Sequence, residues 1–421
     1  MDTIVSNKKN VWIVCVNAQP PEYDTHLRHH LFAKKLVENG YNVTIIGGSV
    51  MHYKKINLIH DGTPYICREY DGVSYVFLKI NLYQNSSIKR VWEIFMFSVK
   101  LYKYRKKFPG PDILVHNLRV PFDFFVFHTA RKLKAKYVTE VWDLWPESFT
   151  AFGLVNKYNP IISIASKVEK YLYTKSDAMI FTMEGASEYL AQKKWRLEDG
   201  GKINMKKYNY INNGISISKF NEDKINYTIN DKDLLNKELF KVVYLGSISH
   251  ANNLMLLIKA AEKLQEMSNL VFLVYGDGSH RELLVKYCEE NSVKNVLFKE
   301  KWVDIKYVPF ILSNSSLNIL NYRPNGIFRY GGSQGKLFQY LASGKPICSN
   351  LEMGYDIIKK YNAGIISEST NPEDYAKAIL QIYNMSTKEY NNLCQNALDA
   401  AKEFDFDTVL SAKFLHIINS L

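Results

Sequence analysis

A stretch of the sequence between Asp304 and Glu352 contains five basic residues and no acidic one. It ends in SQGKLFQYLASGKPICS (333–349), which begins like a loop and ends like a strand. Glycines at 331, 332 and 335 interrupt the stretch and would let a ligand approach the backbone closely. Such a combination of positive charge and glycine indicates a site for an anion.

A short helix beginning inside this stretch could supply the rest of that site. We expect Ser333 to be the N-cap, with Gln334, Gly335 and Lys336 in the first turn. A helix start has unpaired N–H groups and the positive end of the dipole, and Lys336 adds a full charge. This arrangement suits the diphosphate of a nucleotide, and Gln339 could bond a ribose hydroxyl. An ordinary loop with a surface lysine fits the spacing equally well.

Strand and helix patterns alternate from end to end, which predicts parallel sheets covered on both faces. Strands are expected at 11–16, 41–46, 112–116, 136–141, 178–182 and 208–212, with a hairpin around Asp71-Gly72, and then at 241–247, 270–278, 295–299, 316–321, 345–349 and 364–367. The polar segment 216–238 reads as a linker. We therefore predict an α/β fold of two doubly wound Rossmann-like domains facing a central cleft: an N-terminal acceptor-binding domain (1–220), a C-terminal nucleotide-sugar-binding domain (221–403), and a final helix (404–421) that packs back toward the first.

Composition narrows the class of protein. The 421 residues are 47% hydrophobic and 23% charged, as in a soluble globular protein. Neither a signal peptide nor an apolar run long enough to span a bilayer is evident, and the five cysteines form no CxxC pair, so we expect a cytoplasmic protein with reduced thiols. The net charge of +12 is concentrated in residues 1–220, which have 32 basic and 19 acidic residues. That half is expected to face nucleic acid, a membrane surface or a phosphorylated acceptor.

Five segments in order resemble a family 4 glycosyltransferase of the GT-B fold, in the branch of bacterial capsule and O-antigen enzymes similar to fucosaminyl-transferases. They are LRHHLFAKKLVENGYNVTII (27–46), VTEVWDLWPESF (138–149), YLGSISHANNLMLLIKAAEKL (244–264), LVFLVYGDGSHRELL (270–284) and GSQGKLFQYLASGKPI (332–347). The resemblance covers nearly the whole chain. It implies transfer of a sugar from a nucleotide-sugar donor.

The sequence departs from the family pattern at the donor site. Many members have Glu-x7-Glu across the donor loop, where this chain has Gly331 and Gln339. The Arg and Lys with which many members clamp the diphosphate are missing. Ser247 and Asn252 or Asn253 stand near the corresponding positions. Lys336 and the helix start therefore remain the main visible phosphate ligands.

The resemblance also assigns roles to individual residues. In the acceptor domain it implies that Asp143 contacts or deprotonates the acceptor hydroxyl; helix capping is the structural alternative. Glu147, in the same DLWPES motif, is the other candidate catalytic carboxylate or a structural residue. Arg28 and His29 could bind an acceptor phosphate. The full set of predicted donor-binding residues is Gly246, Ser247, Trp302, Val303, Ser333, Gln334, Gly335, Lys336 and Gln339, with Trp302 as a core residue as the alternative.

Two further patterns concern metal and membrane. Asp231/Asp233 and Asp405/Asp407 are DxD pairs, but neither follows a strand, so we predict a linker charge pair and a helix cap and no metal or other cofactor. Residues 88–108 mix aromatic with basic side chains and could lie on anionic lipid as a helix. A helix half buried in its domain is the alternative.

The favoured hypothesis is a retaining, metal-independent transferase of the hexosyltransferase type, peripheral on the inner face of the cell membrane. It would move a sugar from a UDP-linked donor to a polyprenyl-diphosphate-linked or oligosaccharide acceptor. A catalytically inactive nucleotide- or glycan-binding partner of an active transferase is the second hypothesis, and a sugar-nucleotide 2-epimerase is the third. No pattern supports nucleic-acid binding.

Overall fold

The computed structural model describes residues 8–23, 27–51, 56–82, 87–119, 122–151, 153, 155–156 and 158–421. The chain divides into two compact units. The first comprises the described residues up to Asn212 together with Leu410–Leu421, and the second comprises Asn213–Val409. We expected the chain to change domain after residues 220 and 403, and it changes unit after Asn212 and Val409.

The strands follow the predicted alternation closely. In chain order they are β1 (Asn10–Val14), β2 (Asn42–Gly48), β3 (Val50–Met51), β4 (Ile56–Asn57), β5 (Tyr65–Tyr70), β6 (Val73–Leu78), β7 (Ile113–Asn117), β8 (Lys136–Val141), β9 (Ala178–Phe181), β10 (Tyr208–Tyr210), β11 (Phe240–Leu245), β12 (Leu270–Tyr275), β13 (Val296–Phe298), β14 (Leu317–Leu320), β15 (Ile347–Ser349) and β16 (Gly364–Ile366).

The α-helices lie between them. They are α1 (Arg28–Glu38), α2 (Ser87–Tyr104), α3 (Phe124–Lys132), α4 (Glu147–Ala151), α5 (Pro160–Lys175), α6 (Ala186–Gln192), α7 (Ile217–Asn226), α8 (Lys232–Leu235), α9 (Leu254–Glu262), α10 (Arg281–Glu290), α11 (Val308–Ser313), α12 (Gly335–Ala342), α13 (Ile357–Lys360), α14 (Pro372–Tyr383), α15 (Thr387–Glu403) and α16 (Ser411–Asn419). Short 3₁₀ turns and one π-helical turn, Phe406–Leu410, complete the described structure.

The first unit is built on an eight-stranded sheet with the order β10-β9-β8-β7-β1-β2-β6-β5. Every neighbouring pair is parallel except β5 and β6, which form the predicted hairpin at Asp71-Gly72. The strand order reverses direction between β1 and β7, which are paired. In the same unit, α16 packs on α1, with the rings of Phe414 and Phe32 stacked 4.3 Å apart.

The second unit is built on a six-stranded parallel sheet with the order β13-β12-β11-β14-β15-β16. Counted within the unit, this is the 3-2-1-4-5-6 order of a Rossmann domain, with its switch point between β11 and β14. Alternate residues of β11 enter opposite hydrophobic cores: Val243 belongs to one, and Val242 and Tyr244 belong to the other. The prediction of two doubly wound Rossmann-like domains is confirmed.

The expected linker at 216–238 is wrong, because this segment forms α7 and α8 within the second unit. Phe220 and Leu234 are buried in its core. The Asn, Asp and Ser content that resembled a linker includes helix caps: Ser216 accepts a hydrogen bond from the Lys219 amide, and Asp231 accepts from the Asp233 and Leu234 amides.

Within the described residues, we find no helix with both the length and the apolar character needed to cross a membrane.

Candidate functional site

The loops at the carboxyl ends of β11, β12 and β13 are joined by backbone hydrogen bonds. The Gly246 amide donates to Tyr275 O (3.1 Å), and the Gly276 amide donates to Glu300 O (2.9 Å). A Cβ on Gly276 would lie 2.0 Å from Gly246 O, so only glycine permits this contact. Gly276 has φ of +126° and Gly246 has φ of +144°, which glycine tolerates best. The YGDG segment thus supports the Gly246 turn.

Lys336 extends from the second residue of α12 to this turn. Its Nζ atom lies 3.3 Å from Tyr244 Oη and 3.4 Å from Asn252 Oδ1. The same ammonium sits over the rings of Tyr244 and Tyr322, at 4.7 and 5.4 Å from their centroids. A Cβ on Gly246 would be 3.5 Å from Nζ. The structure therefore places Lys336 beside the Gly246 turn at the β11–β14 switch point, where doubly wound sheets bind ligands.

In the described part of the structure, the positive charge of Lys336 is not compensated by a negative one. Among the described residues, no carboxylate comes within ion-pair distance of it, and burial lowers the pKa of Lys336 to about 8. Tyr322 is also buried, and its hydroxyl has no hydrogen-bond partner in the described part of the chain. Lys336 is partly buried, and a cation that is held there only by long hydrogen bonds and two ring faces remains incompletely solvated by the protein. An anion bound here would supply what is missing.

The start of α12 differs from the prediction by one residue. The N-cap is Gln334, not Ser333, and it makes no side-chain capping bond. Gly331 adopts φ of +94°, which produces a tight turn before the helix. The Gln334 side chain packs against Gly332, since a Cβ on Gly332 would lie 2.4 Å from Gln334 Oε1. Because this turn delays the helix, Gly335 becomes its first residue and Lys336 its second.

The remaining predicted donor residues have different environments. Ser247 is exposed, and its carbonyl accepts from Tyr244 Oη (2.6 Å) and Asn252 Nδ2 (2.8 Å). Trp302 is 69% exposed, which excludes the alternative that it is a core residue, whereas Val303 packs against the core. Gln339 is partly buried on α12. Of these residues, the structure brings Ser247 together with Gly246 and Lys336 through Tyr244 and Asn252.

The two DxD pairs are engaged in structural contacts. Asp231 and Asp233 both bind Lys299 Nζ, at 2.8 and 2.6 Å, and Asp231 also accepts from Tyr275 Oη. Asp405 accepts from the Ile217 amide. Asp407 accepts from the hydroxyls of Ser216 and Ser218. Within the described residues, no cluster of three or more metal-ligating side chains is found.

In the first unit, Arg28 and His29 contact a buried carboxylate. Arg28 Nε donates to Glu140 Oε1 (2.8 Å), and His29 Nε2 lies 2.9 Å from Glu140 Oε2. Arg28 also donates to the carbonyls of Ile211 and Asn212. Burial opposes ionisation of Glu140, but the charges of Arg28 and His29 outweigh it and lower the pKa of Glu140 to about 2. Burial likewise opposes the charge on His29, but Cys15 and Glu140 raise the pKa of His29 to about 10.

Asp143 and Glu147 follow β8 but have different contacts. Asp143 has an exposed side chain, yet the protein crowded around it raises the pKa of its carboxyl group, with Arg119 acting in the opposite direction. Asp143 does not cap a helix, since α4 begins at Glu147. Glu147 forms an ion pair with Lys193 at 2.5 Å. The structure therefore leaves Asp143 as the carboxylate available to a ligand and gives Glu147 a structural partner.

Four buried polar atoms of the first unit have no hydrogen-bond partner in the described chain: Gln19 Oε1, Asn117 Nδ2, Arg119 Nε and Trp142 Nε1. They follow β1, β7 and β8, so they lie at the carboxyl edge of the sheet around its own switch point. Trp142 stacks on His29 at 4.8 Å, and Cys15 Sγ lies 3.6 Å from Asn117 Oδ1. Buried polar groups are normally satisfied, so these three donors and one acceptor make this edge of the sheet a candidate site for a polar ligand.

The sequence interpretation missed both Glu140 and these four residues. A lone acid inside the apolar strand 136–141 was a usable signal, because a buried carboxylate requires cationic partners. The lack of partners for the other four side chains had no sequence signal, since it depends on three-dimensional packing.

Comparison with known proteins agrees with this fold. Residues 227–400 match the family described as "Glycosyl transferases group 1". Three solved structures each align over 98% of this chain: sucrose-phosphate synthase from Thermosynechococcus elongatus (14% identity, 99% of that chain, TM-score 0.71), trehalose-6-phosphate from E. coli bound with UDP-2-fluoro glucose (11%, 99%, 0.73), and HepE from Anabaena in complex with UDP and glucose (13%, 100%, 0.66). No curated protein is significantly similar in sequence. The chain thus has the GT-B fold, and its second unit includes the segment that matches the glycosyl transferases group 1 family.

Proposed function

We propose that this protein is a retaining glycosyltransferase that needs no metal ion and moves a sugar from a UDP-linked donor to a hydroxyl of a lipid-linked bacterial surface glycan of the capsule or O-antigen type. The family match over residues 227–400 supports sugar transfer in general. The observation that carries the proposal is the partly buried Lys336 ammonium, which lies beside the Gly246 turn and has no carboxylate partner among the residues that the structure describes.

The donor diphosphate would bind at Lys336 and the amides of Gly335 and Lys336. As the bond from the sugar to the diphosphate breaks, negative charge grows on the leaving group. A cation and amide dipoles fixed in position before reaction stabilise that charge without reorganising, which is a large catalytic contribution. Because Lys336 is already desolvated, the interaction is stronger than the same contact in water. No metal is needed in this proposal to neutralise the leaving group.

The other parts of the donor would bind around this centre. Gln339 would bond the ribose and the exposed Trp302 would contact the base, with Val303 fixing the loop. The choice of UDP is supported by its presence in structures of the same fold, HepE among them. Ser333 and Gln334 would shape the turn that precedes α12.

Asp143 would orient or deprotonate the acceptor hydroxyl. Its raised pKa suits a group that exchanges a proton with a substrate, and positioned carboxylates contribute about 10²–10⁴ in rate. The atoms of Gln19, Asn117, Arg119 and Trp142 that lack partners in the described part of the chain would bind further hydroxyl groups of the acceptor. Arg28 and His29, which we first expected to bind an acceptor phosphate, are bonded to Glu140 and would instead hold this edge of the sheet in place.

The test uses Lys336→Ala, with Lys345→Ala as the matched control just beyond the opposite end of α12. Titration with UDP and a transfer assay with a labelled UDP-sugar and a polyprenyl-diphosphate acceptor would be run on both. We expect UDP affinity to fall by about 10–100-fold in Lys336→Ala, the value of one charge-assisted contact, and turnover to fall further. Unchanged affinity and turnover would refute the phosphate role. A prior thermal-shift screen of UDP-, GDP- and dTDP-sugars identifies the base.

A catalytically inactive nucleotide-binding partner is the second candidate. It is favoured by the Glu147–Lys193 ion pair and by Gly331 and Gln339, where the resembling family has carboxylates. Such a protein would bind UDP through Lys336 but would show no turnover with any lipid acceptor. Any donor-dependent turnover that Asp143→Asn lowers excludes this candidate.

A further inference from the structure

Three helices of the first unit present large apolar side chains to solvent. The exposed fractions are 57% for Trp92 on α2, 45% for Phe124 and 36% for Phe125 on α3, and 66% and 58% for Ile161 and Ile164 on α5. Single exposed apolar residues are ordinary, but a contiguous group marks an interaction surface. We call the exposed side chains of α2, α3 and α5 the aromatic–basic surface.

This surface is continuous across the three helices. Trp92 contacts Phe95 with ring centroids 5.5 Å apart, and Phe95 contacts Phe125 at 5.7 Å. Phe124 then contacts Phe125 at 6.4 Å and Tyr171 of α5 at 6.2 Å. The rings therefore run without interruption from α2 through α3 to α5.

Sheet topology explains why the three helices share a side. They connect β6 to β7, β7 to β8 and β8 to β9, all parallel strands that follow one another toward the same edge of the sheet. Right-handed crossovers in one direction place their helices on one face. The connection from β1 to β2 runs in the other direction and carries α1, which packs with α16.

On these helices the basic side chains face solvent and the acidic side chains are buried. The basic residues of α2, α3 and α5 are exposed or partly exposed, and within the described chain none forms an ion pair with an acid; they are Lys89, Arg90, Lys100, Lys103, Arg131, Lys132, Lys167, Lys170 and Lys175. The acids are buried and bonded inward. Glu93 accepts from the Asn81 amide, Asp123 from the Arg119 amide, and Glu169 from Tyr189 Oη.

Helix α5 shows this separation of exposed basic and buried acidic side chains most clearly. Its solvent side carries Ile161, Ile164, Lys167 and Tyr171, whereas its single acid, Glu169, is fully buried. Apolar and basic side chains on the same exposed side are unusual for a helix that faces water alone. They are typical of helices that lie in a bilayer interface, with apolar groups among the acyl chains and lysines at the headgroups.

We propose that the aromatic–basic surface docks on an anionic lipid bilayer. The positive charge without exposed acids complements anionic headgroups, and Trp92 and the two isoleucines of α5 insert between them. The earlier expectation of a lipid-facing helix at 88–108 is thereby narrowed to the start of α2 and extended to α3 and α5, because Phe97 and Leu101 are buried in the protein. This docking does not depend on the transferase reaction.

The experiment measures flotation of the full chain with vesicles of neutral phosphatidylcholine, with or without about one third phosphatidylglycerol. The first variant is Ile161→Ser/Ile164→Ser. Its control is Ile225→Ser/Leu283→Ser, which changes apolar side chains of similar exposure, 73% and 56%, in the second unit. The charge variant is Lys167→Gln/Lys175→Gln. Thermal unfolding of each variant checks that it folds as the parent does.

We expect the parent to bind the anionic vesicles and to dissociate as salt rises. The isoleucine variant should partition about tenfold less. Each lysine replaced should weaken binding about fivefold, and the control should bind as the parent does. Brominated lipid should quench the fluorescence of Trp92, so the quenching of the protein's tryptophan fluorescence should be smaller in Trp92→Phe.

Equal binding by all variants would overturn the proposal, as would equal binding to neutral vesicles. A dimer in solution that the isoleucine variant abolishes, without vesicle binding by the parent, would assign the surface to a second copy of the chain instead. Vesicle binding by the parent together with unchanged UDP affinity in Lys336→Ala would refute the phosphate role alone. UDP binding by the parent without vesicle binding would refute the docking alone.

Discussion

Replacing Lys336 with methionine should make the ligand-free protein more stable while weakening UDP binding. Burial lowers the pKa of Lys336 from 10.5 to about 8, so folding disfavours the charged form by about 3 kcal/mol at neutral pH. Cation–π contacts with the rings of Tyr244 and Tyr322 stabilise the charged form by about 1 kcal/mol. A methionine side chain would replace part of this stabilisation by packing against the same rings. Methionine has a similar length and no charge. We therefore expect the free energy of unfolding to rise by about 2 kcal/mol.

The pH dependence tests the electrostatic origin of this effect. Because the folded pKa lies below the unfolded one, the unfavourable contribution is complete below about pH 8 and disappears as pH rises toward 10.5. Urea unfolding at pH 7 and at pH 10 should thus give a large difference between parent and Lys336→Met at the lower pH and a small one at the higher. With UDP present the order should reverse, because ligand binding stabilises only the parent strongly. If Lys336→Met is less stable than the parent at pH 7 without UDP, the reasoning is refuted. Lys345→Met is the control for the loss of a lysine elsewhere in the same unit.

Three further outcomes follow from the same geometry. UDP binding at pH 8.5 should take up about 0.7 proton per site, because the anion restores the ordinary pKa of Lys336; calorimetry in buffers of different ionisation enthalpy measures the uptake, and none is expected in Lys336→Met. Asp143→Asn should lower turnover by about 10²–10⁴ with UDP affinity unchanged, and a parallel loss of both would point to misfolding instead. Glu140→Gln should lower the free energy of unfolding by about 3–5 kcal/mol, since two buried cations lose their partner, and a change under 1 kcal/mol would contradict the buried network.

Most of the fold could be predicted because local patterns and tertiary packing agree. Apolar runs such as 11–14 and 270–275 lie in strands that are almost entirely buried, and Gly or Asn residues follow several helices where the chain turns. The segment 216–238 was misjudged for a physical reason. Ser216 and Asp231 cap short helices whose few apolar residues, Phe220 and Leu234, are enough to bury them, but the rest of the segment is polar.

The site was predictable in part. Lys336 and Gly246 could be chosen as candidate residues because charge and glycine are visible as residue types, and the structure brings these two residues together. Their partners could not: Tyr244 lies in β11 and Tyr322 just follows β14, two strands whose paired residues are 75 apart in sequence and meet only in the sheet. Arg28 and His29 were assigned to an acceptor phosphate because Glu140, more than 100 residues away, was not recognised as their counter-ion.

The missing carboxylates of the donor loop have a structural counterpart. Gly331 has φ of +94° and ψ of −178°, a conformation that disfavours a glutamate at this position without a rearranged turn. With Gln339 in place of the second acid, the stretch between Asp304 and Glu352 keeps its charge entirely positive. A carboxylate close to Lys336 would satisfy the ammonium before a ligand arrived, and a diphosphate would then have to displace it. Without one, a bound anion would be the natural counter-ion, so under the proposed function this chain would give up bonds to the sugar and ribose and gain a stronger field at the diphosphate.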